Sequence, residues 1–419
     1  MLFRSQKITR AAYDAMPDAY VTTKELGLPR QIQSNDLNNF APRAGFAWRV
    51  FGDNRTVLRG GYGVFYELVN GNGRTGGVIN PPFLFDEVAN NNNPIPNRTL
   101  HDFFFTQPPS AASPPIIDSR QLNQRTPYEQ TWNLMIQREL VANIALEVGY
   151  LGKKGTHLER DVLFNQPEFP GPGSIQSRRP FPRFGSGTLR DDGSNSTYHG
   201  LQTKLERRFS NGLSFLAAYT WAKSMDDVST DLGGAVQNWK DYRAEHAVSD
   251  FDVAHNFVFS GLYELPFGPG RLLASGAGGV LSRLIGGWQL GAIVQQRSGL
   301  PFTPRISIDQ ANTGTPQRPN RNGPGTAGQR TTAKWFNPAD FTIPAQYTFG
   351  NSGRNILRAD RYNNIDLVLL KNTAITERVS AQLRFEFFNA FNHANYGAPN
   401  ALVNTATAGQ VASANDPRI

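Results

Sequence analysis

The chain has no cysteine, so neither a disulfide framework nor a thiolate metal site is open to it. It contains no stretch of 18 consecutive apolar residues, which excludes a membrane-spanning helix. Charged residues make up 18%, below the roughly one quarter usual in soluble domains. The formal charge of +8 permits an anionic partner, but no basic helix or tract gathers it. Nucleic-acid binding needs a clustered footprint and is not expected. GxSxG, Walker and Rossmann-glycine patterns are missing, so nucleophilic and nucleotide chemistry have no starting point, and no HExxH sets two histidines on one helical face. The N-terminal MLFRSQKITRAAYDAM lacks the apolar run and small-residue cleavage site of a secretory signal. An exported chain needs one, so the sequence reads as a segment of a longer product. Its last residues, ASANDPRI, read as the start of an incomplete final strand.

Turn-forming residues are what the chain has in abundance. Its 40 glycines and 28 prolines are about a sixth of the residues, against about an eighth on average. Between them lie segments of about ten residues in which apolar and polar side chains alternate, the pattern of half-buried strands. Five pairs are visible. Ala44, Phe46, Trp48 and Val50 turn over Gly52, Asp53 and Asn54 into a strand bearing Leu58, Tyr62 and Val64. Trp132, Leu134 and Ile136 pair with Ile144, Leu146, Val148 and Tyr150 across a turn at 141–143, with Asn133, Gln137 and Glu147 opposite. Leu201, Leu205 and Phe209 alternate with Gln202, Lys204, Glu206 and Arg208 before Ser210, Asn211 and Gly212, and the return strand ends at Trp221. Phe257, Phe259 and Tyr263 face Trp288, Leu290, Ala292 and Val294 over a longer connection from Pro266 to about Leu284, the weakest of the hairpins. Ile365, Leu367 and Leu369 face Val379, Leu383, Phe385 and Phe387, with Asp366, Gln382, Arg384 and Glu386 on the other side.

Long connections rich in Asn, Pro, Gly and Ser join these pairs, at roughly 68–127, 153–196, 225–253, 299–362 and 392–415. Such loops are foreign to a compact soluble domain. Outer-membrane barrels are built this way: strands of about 9–11 residues, short periplasmic turns and long extracellular loops. The expected fold class is therefore all-β, an antiparallel transmembrane β-barrel of about ten strands, present in part. Residues 1–40 read as a loop remnant and lead-in, 41–391 as strands with long loops, and 392–419 as the last loop and the start of a missing strand. Tyr66, Tyr128, Trp132, Tyr150, Trp221 and Tyr263 lie toward strand ends, where barrels carry aromatic girdles. In a soluble sandwich the same rings would be core.

Several segments together resemble TonB-dependent receptors, particularly the Oar-like group. They are NNFAPRAGFAW (38–48), YEQTWNLMIQREL (128–140), GYLGKKGTHL (149–158), YHGLQTKLERRFSNGLSFLAAYTWAKSMDD (198–227), SDFDVAHNFVFSGLYELPFG (249–268) and FEFFNAFNHANYG (385–397). The resemblance covers most of the chain from residue 38 onward. It implies a barrel of about 22 strands, of which this chain would supply roughly the C-terminal half. It also implies an N-terminal plug and a TonB-box segment that contacts the energising complex; neither has a counterpart in these residues.

Candidate sites are few. Asp250, Asp252 and His255 in SDFDVAH, with His246 nearby, have metal-ligand chemistry, but sit at a loop-to-strand junction where a structural role is the favoured reading. Asp191 with Asp192 and Asp226 with Asp227 read as turn carboxylates rather than a glycosidase pair. The oxygen-rich DDGSN at 191–195 lacks the ligand ladder of a calcium loop. Lys204, Glu206, Arg208, Asp366, Arg384 and Glu386 are expected to face the lumen, lining a solute path or pairing across strands. Trp335 and Phe336, in AKWFNPADF, either present rings to a solute or anchor their loop on the rim.

No catalytic residue, metal or cofactor is expected. The expected partners are outer-membrane lipid, a large extracellular solute (siderophore, oligosaccharide or peptide), and the TonB complex through the missing plug region. The leading expectation is part of an outer-membrane receptor that imports that solute. A passive porin or surface adhesin on the same barrel is the alternative, and a soluble all-β carbohydrate-active enzyme comes third.

Overall fold

A computed structural model describes residues 36–52, 55–67, 116–141, 143–230 and 236–415, together with Gly27 and Pro114. Ten strands form one sheet in chain order: β1 (Arg43–Arg49), β2 (Thr56–Tyr66), β3 (Tyr128–Val141), β4 (Ile144–Val162), β5 (Gly187–Ser210), β6 (Leu213–Asp226), β7 (His255–Glu264), β8 (Trp288–Arg297), β9 (Tyr362–Ala374) and β10 (Ser380–Phe387). Every neighbouring pair is antiparallel. Two short strands, Ile117–Arg120 and Ala247–Val248, add to β5 and β6. Among the described residues no pairing links β10 back to β1.

The registers decide what the sheet presents. Trp48 lies opposite Leu58, Leu58 opposite Ile136, and Ile136 opposite Val148. Further along, Leu201 faces Trp221, Ala217 faces Phe259, Phe259 faces Val294, Val294 faces Ile365, and Leu369 faces Phe385. Side chains alternate along a strand, so these pairings place all ten strands' apolar sets on one continuous face. Phe46, Trp48, Leu134, Ile136, Leu201, Trp221, Leu290, Leu383, Phe385 and Phe387 are all exposed on it. Arg59, Gln137, Glu147, Lys204, Glu264, Gln295 and Glu386 take the opposite parity and the opposite face. An exposed apolar surface of this extent belongs against lipid rather than water. All six girdle candidates lie on the apolar side, Tyr66 against Tyr128 at 5.6 Å between ring centroids.

The turns follow from local chemistry. Ser210 pairs with Leu213, leaving Asn211 and Gly212 as a two-residue loop with φ of 50° and 75°. Two consecutive positive φ values are what a type I′ hairpin requires, and Asn-Gly meets that demand. Glycine also serves packing: a Cβ on Gly152 would lie 2.3 Å from the Trp132 indole, its cross-strand partner. The β7–β8 connection, the longest at the short-turn end, contains a seven-residue helix, α1 (Gly279–Ile285). The ladder above it is nonetheless continuous from Gln289 opposite Glu264 to Arg297 opposite Asn256, so this hairpin is as complete as the others. Asp53 and Asn54 of the first turn, most of the 68–127 connection and the final DPRI lie outside the described residues.

One expectation is corrected by the lengths of β4 and β5. Residues 153–162 and 187–196 were expected within a loop; they are strand, giving elements of 19 and 24 residues. At the usual rise these span about 60 and 80 Å, far more than a hydrocarbon core of about 30 Å. The extension carries no sustained apolar alternation, its residues being mostly polar and charged. Two cross-strand ion pairs hold it: Arg160 to Asp191 at 2.8 and 3.1 Å, and Arg190 to Asp161 at 2.8 and 3.1 Å. DDGSN is thus strand rather than turn, with Asp191 occupied by Arg160.

Candidate functional site: the cap of long loops

Hydrogen bonds and a small core join the connections at the end of the sheet opposite the hairpin turns. Phe336, Phe341 and Leu357 are buried together, with Phe302, Ile356 and Val403 against them. Trp335 sits at 7% exposure and Phe336 at 2%. The Trp335 indole donates to the Arg358 carbonyl at 3.0 Å. Of the two roles open to these rings, the geometry is that of loop anchors: their faces are covered by the cap itself, and stacking on a solute would first require it to open.

Three arginines from the 298–361 connection tie it to the β6–β7 connection. Arg318 meets Glu245 in a bidentate pair at 2.9 and 3.0 Å. Arg354 donates to the Glu245 carbonyl at 2.9 Å, to Ser229 Oγ at 3.0 Å, to Asp250 Oδ1 at 3.2 Å and to the Asp226 carboxylate. Arg358 reaches Asp252 Oδ2 at 2.5 Å, while Asp252 Oδ1 accepts from the Ser224 amide at 2.6 Å. The SDFDVAH carboxylates are therefore committed to arginines rather than gathered for a cation. His255 bonds Tyr219 at 2.8 Å and His246 bonds Asp227 at 2.8 Å. Among the described residues no group of three or more His, Asp or Glu is placed to hold a metal. Tyr242 packs under the Arg160 guanidinium, 3.8 Å from its ring centroid, and burial pushes its phenol well above the ordinary range.

Beside these clamps lies a cavity of about 400 Å³, bordered by Ser229, Asp250, Thr303, Arg305, Arg354 and Asn355 among others. Arg354 is saturated; Arg305 is exposed, with its backbone amide on the Ala401 carbonyl. The cavity thus offers a cation, a half-open carboxylate and hydroxyl groups, a lining suited to polar solute groups. Sequence reading did not find Arg305, Arg318, Arg354 or Arg358. The carboxylate partners of Arg318, Arg354 and Arg358 lie 73 to 128 residues away along the chain, and no local pattern marks such pairs.

The expected lumen residues fall on the polar face in two separate sets. Lys204 and Glu206 pair along β5 at 3.0 Å, with Arg208 the next residue of that parity. Arg384 and Glu386 pair along β10 at 2.7 Å, and Asp366 on β9 accepts the Asn389 amide at 2.8 Å. Four strand spacings, about 19 Å, separate β5 from β9, so the six do not form one site. Exposed pairs of this kind contribute at most about 1 kcal/mol.

An antiparallel sheet with one apolar face, girdle aromatics, tight turns at one end and a loop cap at the other defines an outer-membrane β-barrel wall. Residues 4–419 match the outer membrane beta barrel domain family, and the chain belongs to it. It is thus a protein of the bacterial outer membrane. No curated protein sequence matches. Solved structures with a similar fold include the outer membrane transporter YddB from Escherichia coli, at 10% identity and a TM-score of 0.52, over 91% of this chain and 39% of that one. The ferripyoverdine receptor of Pseudomonas aeruginosa, at 10% identity and a TM-score of 0.44, covers 91% and 32%. The siderophore receptor PiuA from Acinetobacter baumannii, at 10% and 0.41, covers 90% and 34%. The chain therefore spans well under half the length of these proteins.

Proposed function

We propose that this chain forms part of the wall and the extracellular cap of a TonB-dependent outer-membrane receptor, which binds a large solute outside the cell and passes it inward. The observation that carries this reading is the cap itself: three arginine clamps hold the long connections around a polar cavity at the mouth of the sheet. An unguarded pore has no need of such a device. The sequence resemblance to TonB-dependent receptors and the fold shared with the YddB transporter support the same reading. On it, the solute's polar groups first meet Arg305, Thr303 and Asp250, and energy coupling resides in parts of the receptor outside this chain.

Uptake of labelled siderophore, oligosaccharide and peptide pools into cells carrying the whole gene product tests the proposal. Uptake of one class that stops when the inner-membrane energising complex is deleted supports it. Steady conductance of the reconstituted protein in liposomes, with uptake indifferent to the energising complex, would establish a passive porin instead.

A further inference from the structure

We propose that the polar face just beneath the cap carries a binding site for an acidic oligosaccharide, an inference that rests on the receptor reading above and names the class of its solute. Two neighbouring rows of side chains build it. Thr220, Asn256, Arg297 and Tyr362 lie abreast across β6 to β9, and Ala218, Val258, Gln295 and Asn364 form the next row. Arg297 ends β8 and Tyr362 begins β9, so the rows adjoin the connection that carries the clamps. They span four strands, about 14 Å, wide enough for more than one sugar ring. A cavity of about 340 Å³ opens over them, with Asn256, Val258, Gln295, Arg297 and Tyr362 on its border.

Polar side chains elsewhere on this face satisfy one another, as Lys153 does with Glu129 at 2.8 Å, Gln289 with Glu264 at 3.1 Å and Gln382 with Asn372 at 2.7 Å. The two rows beneath the cap differ. Among the described residues, Asn256, Gln295, Asn364 and the Arg297 guanidinium make no side-chain hydrogen bond or ion pair. Arg297 is nevertheless held in place, its guanidinium 4.8 Å from the centroid of the Tyr362 ring. A side-chain amide sets a donor beside an acceptor, which suits two neighbouring sugar hydroxyls, since each hydroxyl both gives and takes. A simple anion would use Arg297 and leave the three amides idle. A peptide backbone would need a free strand edge, whereas Asn256 and Arg297 lie on strands already paired on both sides. The guanidinium then selects the acid, because a ring carboxylate meets its fork in two charge-assisted hydrogen bonds.

The test is isothermal titration calorimetry of the whole gene product in detergent, with a galacturonate tetrasaccharide and the galactose tetrasaccharide of the same linkage as probes. The acidic probe should bind about tenfold more tightly than the neutral one, as a charge-assisted pair supplies. Arg297→Gln should bring the two to equal affinity, Arg297→Lys should keep only part of the preference because it loses the fork, and Arg378→Gln in the turn between β9 and β10 should change nothing. Gln295→Leu, which removes an amide and keeps the arginine, should weaken both probes several-fold at an unchanged ratio, and it stays readable if Arg297→Gln does not fold. Binding of neither probe, equal binding of both, or unaltered binding by Arg297→Gln overturns the proposal. Calorimetry needs no energy coupling, so energised uptake of a siderophore or peptide without saccharide binding overturns this inference alone and leaves the receptor reading standing.

Discussion

Arg318 and Glu245 face each other through two parallel hydrogen bonds, with side chains only 7% and 4% exposed, and they join connections 73 residues apart. Each of two charges so enclosed offsets part of the other's desolvation cost, and either one left alone would be a buried, uncompensated charge. Neither tolerates solitude. Glu245→Ala or Arg318→Ala should therefore destabilise the cap by about 3–5 kcal/mol, while the double replacement by Leu and Met should recover most of the loss. Limited proteolysis of the cap reads this. Equal cleavage in the single variants and the unaltered protein would show that the pair is not a clamp.

Arg358 and Asp252 make a second clamp, between the start of β7 and the connection that carries Trp335. Asp252→Asn keeps shape and removes charge, so the Ser224 amide keeps an acceptor while Arg358 loses its ion pair. Hydrogen exchange over residues 330–358 should rise several-fold, with β1 to β5 unchanged. A uniform rise across the whole sheet would instead indicate global loosening.

Adjacent residues on β9 distinguish the faces. Leu367 lies opposite Ala292 on the apolar side and Val368 opposite Gly291 on the polar side. Leu367→Arg should cost about 2–4 kcal/mol in a bilayer and Val368→Arg much less, measured by urea unfolding in lipid vesicles. Equal costs would refute the assignment of the lipid face.

Gly152 leaves room for the Trp132 indole across the β3–β4 ladder. Gly152→Val should drive the ring off its site and destabilise by about 1–3 kcal/mol, with a red shift in tryptophan fluorescence. Trp132→Leu in the same background should relieve part of the loss.

Asp118 lies in the short strand that pairs with the start of β5. Burial raises its carboxyl above the ordinary value of 3.8, and Asp161 adds to the rise while Arg190 and Arg120 oppose it. A raised carboxyl favours the neutral form in the folded state. The stability it contributes is complete below pH 3.8 and is lost as pH rises through the folded value. Asp118→Asn should flatten this dependence and protect residues 117–120 from exchange above that window. An unchanged pH profile would exclude Asp118 as its source.

How much the sequence determined depends on the range of the forces involved. Strand positions were legible because lipid and water impose a two-residue alternation that each segment carries in itself: Phe257, Phe259 and Tyr263 declared one face of β7 without reference to any neighbour. The bend at Asn211 and Gly212 was legible for the same local reason, a φ demand that few residues meet. The upper halves of β4 and β5 were not, because paired charges such as Arg160 with Asp191 replace alternation where no lipid faces the strand. Nor was the cap. Whether Trp335 offers its ring to a solute or buries it, and whether Asp252 meets a cation or Arg358, depends on which distant loops pack together. Hydrogen bonds and ion pairs are satisfied by position in space rather than by spacing along the chain, so only the tertiary structure could decide them.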